Sequence, residues 1–190
     1  MGVAVLVPIA IAARSPLLAW REPIYIAAGF AGIAAMALLL IQPLLAGGYV
    51  PGLPGRTGRQ VHRWLGIALV VLVLAHVGGL WVTSAPDVID ALLFASPTPF
   101  SVWGVVAMWA VFAAALLALL RRSLRLGPVA WRIGHTALAV VIVVGTVVHA
   151  LLIEGAMGVV SKAAFCLVVV VVMAKIVLDL ATWTVNRRRP

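Results

Sequence analysis

Residues 61–83 read VHRWLGIALVVLVLAHVGGLWVT, and residues 131–153 read WRIGHTALAVVIVVGTVVHALLI. Each stretch is apolar over the roughly 20 residues a helix needs to cross a hydrocarbon core. Only a helix satisfies its backbone polar groups within such a segment. Each also carries two histidines fourteen positions apart, His62 with His76 and His135 with His149. At 3.6 residues per turn, fourteen residues make about 3.9 turns, so the rings of a pair face within about 40° of each other and stand about 21 Å apart along the axis.

The composition around these stretches agrees with a membrane setting. The chain has 190 residues, 65% hydrophobic and 10% charged, with a mean hydropathy of +1.20, whereas a soluble domain averages roughly 45–50% apolar and about 25% charged. A water-soluble globular protein is excluded. Further spans are expected over 23–46, 100–120 and 162–185, which leaves no room for a soluble domain. Val3 to Ala13 is apolar but short, contains Pro8, and runs into Arg14-Ser15-Pro16 without the positive start of a signal peptide. It reads as a short or broken first helix over about 3–20. The expectation is an all-α integral membrane protein, one transmembrane domain over 1–190, built as a bundle of six helices, or five if the first segment does not cross.

The formal net charge of +9 would suggest nucleic acid in a soluble chain; here it reads as orientation, with no nucleic-acid partner. Arg56, Arg59, Arg63, Arg121, Arg122, Arg125, Arg132 and Arg187 to Arg189 all fall on one side of the spans. The positive-inside rule places that side, and the C-terminus, in the cytoplasm of a bacterial-type inner membrane. Trp20, Trp81 and Trp103 then lie near outer span ends, and Trp64, Trp131 and Trp183 near inner ends, as interfacial indoles do. Trp109 lies inside a span and reads as helix packing.

The third and fifth spans run in the same direction, so His62 comes level with His135 and His76 with His149. Two facing imidazole pairs result, one near each membrane surface. That is the axial ligand set of a six-coordinate b-type haem, so His62 and His135 are the expected ligands of an inner haem iron, and His76 and His149 of an outer one. Zinc needs about four ligands converging at one point, and a proton relay needs polar intermediates, of which the intervening residues hold almost none. Cys166 is the sole cysteine, which excludes CxxCH attachment, and it reads as packing. The Nδ1 protons are expected to be held by backbone carbonyls one turn back. Gly66, Gly134, Gly78, Gly79 and Gly145 leave room near the ligands. Arg59, Arg63 and Arg132 are placed to pair with haem propionates, or are ordinary positive-inside residues.

With Arg59-Gln60-Val61-His62-Arg63-Trp64-Leu65-Gly66 leading to His76, and Trp131-Arg132-Ile133-Gly134-His135 leading to His149, the chain resembles the ferric reductase-like transmembrane domain family over roughly 23–185. The resemblance implies a six-helix bundle with two b haems between helices three and five, the membrane haem component of an oxidoreductase. Electrons would pass from a cytoplasmic or inner-leaflet donor to an external acceptor: a ferric chelate, oxygen or a periplasmic partner reductase. The chain is similar in size to stand-alone members that serve a periplasmic methionine sulfoxide reductase, and differs from them around the inner ligand. No GxGxxG follows a strand, and Gly52, Gly55 and Gly58 read as a flexible connector. The donor is then expected to be a separate flavoprotein, a bound flavin, or a quinol. Two other functions stand beside this one: a quinol-linked b561-type cytochrome, and a non-redox transporter whose histidines handle protons or metal ions. Lys175 and Asp179 are expected to pair at i, i+4, and Asp87 to Pro99 to form an external loop beside the outer haem.

Overall fold

The computed structural model describes residues 10, 12–19, 21–53, 55–155 and 158–188, without the side chains of 17 and 183–188. Its helices are α1 (Pro23–Ala46), α2 (Gly55–Thr83), α3 (Ala85–Leu92), α4 (Pro99–Leu120), α5 (Pro128–Leu152) and α6 (Val159–Arg188). Five of them, all but α3, are long and apolar enough to cross a membrane. The chain is therefore an all-α, multi-pass membrane protein. Half of the expected first span, residues 3–9, 11 and Trp20, lies outside the described residues; Pro16–Leu18 in that region forms a 3-10 turn.

Proline at the first helical position starts α1, α4 and α5, where its missing N–H has no intrahelical partner to lose. α1 ends in a Schellman motif. The Tyr49 N–H bonds the Leu44 carbonyl and the Gly48 N–H the Leu45 carbonyl, with Gly48 at φ +74°, a backbone setting that favours glycine.

Two corrections concern segments read as loops. α2 begins at Gly55, so Arg56 and Arg59 ride on its first turns rather than on a connector. Gly55 and Gly58 are helical too, and buried Gly58 faces the Leu45 carbonyl. On the other side, Ala85–Leu92 is a short helix with Val88 buried, entered through the Ser84 hydroxyl bonded to Asp87 at 2.6 Å.

α1 packs along α2 and α4 along α5, as two hairpins, while α6 closes against α5 and α1. The histidine helices α2 and α5 make no extended packing contact with each other. One core cluster joins Met36, Ala37 and Leu40 of α1 to Val143 and Val147 of α5 and to Phe165, Cys166, Val169 and Met173 of α6. Cys166 is packing, as expected. The second cluster joins Ala35 and Leu39 of α1, Leu69 of α2, Ala110, Val111 and Ala114 of α4, and Ile142 of α5. Leu69 lies midway between His62 and His76 in sequence, and Ile142 midway between His135 and His149. An apolar layer therefore separates the two histidine levels. Trp64, Trp81, Trp103 and Trp109 face outward; Trp109, expected to pack between helices, instead meets Phe112 edge-on one turn along its own helix.

Candidate functional site: two histidine pairs

The rings of His62 and His135 have centroids 6.2 Å apart with planes 75° apart. Those of His76 and His149 are 6.5 Å apart with planes at 81°. The expected pairing across α2 and α5 is therefore present at both levels. Two imidazoles bound from opposite sides to one first-row metal atom, each nitrogen about 2 Å from it, have ring centres about 6 Å apart. The spacing of both pairs fits that arrangement. Among the described residues no three His, Cys, Asp or Glu side chains converge, in keeping with two separate pairs rather than one tetrahedral site.

The rings are oriented from the neighbouring helices, which corrects the expectation of carbonyls one turn back. His76 Nδ1 lies 2.8 Å from the carbonyl oxygen of Ala28 on α1, and His149 Nδ1 lies 2.9 Å from that of Phe100 on α4. His62 Nδ1 is 3.2 Å from the Gln42 carbonyl on α1. An Nδ1–H donated to a carbonyl fixes the tautomer, leaving the Nε2 lone pair for a metal, and raises the ring's basicity.

At two of these carbonyls the residue one turn beyond limits how closely the ring can approach. Beyond Ala28 stands Gly32, where a Cβ would come within 3.0 Å of His76 Nδ1; beyond Phe100 stands Gly104, where it would come within 2.7 Å of His149 Nδ1. Each outer histidine thus sits in a clasp of one carbonyl and one glycine. Beyond Gln42 stands Ala46, and the bond to His62 is the longest of the three.

His135 departs from the pattern. Its Nδ1 is buried without a hydrogen-bond partner, and its ring lies parallel to Trp131, with centroids 4.8 Å apart and planes 17° apart. The Arg121 guanidinium lies 4.8 Å from the centre of the Trp131 ring. The Gln42 side chain is buried at the same level, its Oε1 unpartnered and its amide nitrogen 3.3 Å from where a Gly66 Cβ would stand.

The other sequence candidates lie as follows. Arg59, Arg63 and Arg132 are exposed at the arginine-rich ends of α2 and α5, within a turn of His62 and His135. Gly79 and Gly145 admit the partner helix, facing Ala28 and the Trp103 carbonyl, while Gly78 meets nothing within 4 Å. Gly134 faces Leu117 in ordinary contact. Lys162 is buried, its ammonium donating to the Ile153 carbonyl at 2.7 Å and capping the end of α5 just beyond His149. Lys175 pairs with Asp179 at 2.8 Å, as expected, and Tyr49 joins them, accepting from Lys175 at 2.9 Å and donating to Asp179.

Spacing along α2 and α5 could not reveal Ala28, Gly32, Gln42, Phe100 and Gly104, because they belong to other helices. A signal was nonetheless present. Ala28 and Gln42 are themselves fourteen residues apart, so α1 repeats the histidine period in the opposite direction.

No curated protein and no solved structure matches the chain. The family described as the ferric reductase like transmembrane component matches residues 28–146, from the Ala28 anchor to just short of His149. The chain therefore belongs to the ferric reductase-like transmembrane family, a membership that points to redox electron transfer across a membrane.

Proposed function

We propose that the chain conducts electrons across the membrane through two b-type haems, one held by His62 and His135 and the other by His76 and His149. The observation that carries this is the facing of both imidazole pairs at 6.2 and 6.5 Å. When bound, each haem supplies a one-electron iron couple whose potential is set by its ligands and their surroundings. The chain's own work is to hold and insulate. Ala28, Gln42 and Phe100 fix three imidazoles through their carbonyls, and the Leu69–Ile142 layer keeps water and protons from the path between the levels. Arg59, Arg63 and Arg132 stand where they would neutralise propionates at the inner end.

In this reading residues 1–190 form a single haem-binding domain in a bacterial-type inner membrane, with the C-terminus in the cytoplasm. A separate flavoprotein, a bound flavin or a quinol gives electrons at the arginine-rich side. A ferric chelate, oxygen or a periplasmic redox partner receives them outside. A quinol donor is favoured by one feature in particular, the buried Gln42 Oε1, an acceptor with no partner beside the inner pair.

The test is optical. Purified protein should show a reducible b-type Soret band with two haems per chain. His62→Ala, His76→Ala, His135→Ala and His149→Ala should each lose one. A colourless chain, its stability indifferent to these substitutions, would leave the non-redox transporter. Reduction by an added quinol but not by a flavoprotein would select the cytochrome of the b561 type.

A further inference from the structure

A histidine ring turns about its χ2 torsion in a broad, two-fold well, so a ligand needs something to hold its plane. For His62, His76 and His149 a carbonyl of a neighbouring helix does so. His135 has a buried Nδ1 with no such partner. It has a flat neighbour instead. Trp131 lies one turn earlier on α5, where i and i+4 side chains meet on one face, and its ring is nearly parallel to the imidazole, 17° apart at 4.8 Å. The indole is fixed in turn from α4, because Arg121, the residue that ends that helix, lays its guanidinium 4.8 Å from the ring centre. A cation over an indole face is the strongest of the cation–π pairs.

We propose that Trp131 is the positioning residue of the inner level, holding the His135 plane by stacking where carbonyls hold the other three rings, with Arg121 holding Trp131. This inference rests on the reading of His62 and His135 as a haem pair. Two properties follow. The inner level has a ligand restrained in angle but not made more basic, since no acceptor draws on its N–H. The restraint also comes from the α4–α5 turn at the arginine-rich surface, so whatever displaces Arg121 there loosens the inner ligand and leaves the outer pair alone.

The experiment uses the full chain with its haem and reads the ferric low-spin resonance signals, which depend on ligand ring orientation, together with haem content. Trp131→Leu should broaden the inner signal and lower retention of the inner haem by about tenfold, the low end of the range found when outer-shell partners of a metal ligand are removed. Trp131→Phe, which keeps a flat face, should restore a sharp signal. Arg121→Gln should broaden the inner signal less than Trp131→Leu does. The outer signal should stay constant in all three. A wild-type chain with two haems and a Trp131→Leu chain with the same inner signal and content would overturn this inference alone. A wild-type chain that binds no haem would overturn the underlying reading with it. Where Trp131→Leu does not accumulate in the membrane, Arg121→Gln carries the test, and an inner signal identical to wild type overturns the proposal.

Discussion

The inner and outer histidine pairs have the same sequence spacing and nearly the same ring separation, yet they are held by different means. At the outer level both rings are clasped, His76 by the Ala28 carbonyl over Gly32 and His149 by the Phe100 carbonyl over Gly104. At the inner level His62 has a longer bond, over Ala46, and His135 has a stacked indole instead of a bond. The difference shows that spacing along one helix sets where two ligands meet, while the backbone of the next helix sets how firmly each is held.

The largest expected effect comes from removing a ligand on either side of that comparison. His76→Ala or His149→Ala should eliminate the outer haem and leave the inner one, read as a halving of haem per chain. Loss of both haems would mean that the levels do not act separately. Next comes Gly104→Ala. The new methyl would stand within 2.7 Å of His149 Nδ1 and break its bond to Phe100, leaving a buried donor unmet at a cost of about 1–3 kcal/mol. A lower thermal midpoint is expected, with a raised outer potential because the ring becomes a weaker donor. Gly32→Ala should do the same less strongly, since its clearance is 3.0 Å; an equal or larger effect would sink the clasp as the cause. Ala46→Gly should act in the opposite sense at the inner level, letting His62 draw closer to Gln42 and lowering the inner potential slightly in a redox titration. Smallest of all, Lys175→Ala should leave haem content and both potentials unchanged, because the partners of Lys175 are Asp179 and Tyr49 rather than a histidine or one of the carbonyls that hold them.

The paired histidines were legible in the sequence because helix periodicity and topology alone bring them level. The pairing of Lys175 with Asp179 was legible for the same reason, both residues lying on one helix face. The clasps were not, since Gly32 and Gly104 are remote in sequence from the rings they admit; the glycines close to the histidines along the chain, such as Gly79 and Gly145, instead let the partner helix approach. Lys162, at the start of the last expected span, is a buried cap that sequence does not show, because nothing in it tells where the last free carbonyls of α5 will stand. Arg56 and Arg59 read as loop residues because the apolar run begins at Val61, although α2 starts at Gly55.

The layer containing Leu69 and Ile142 has an electrical consequence under the proposed function. Among the described residues that layer is apolar throughout, so no side chain in it carries a compensating proton between the levels, and each electron that crosses moves a net charge. The levels stand about 21 Å apart in a core about 30 Å thick, about two-thirds of the way across. A potential of 100 mV is worth about 2.3 kcal/mol per charge over the full membrane, so about 1.5 kcal/mol per electron acts between the levels. A negative interior would push electrons outward, so an energised membrane would drive the transfer and be depolarised by it.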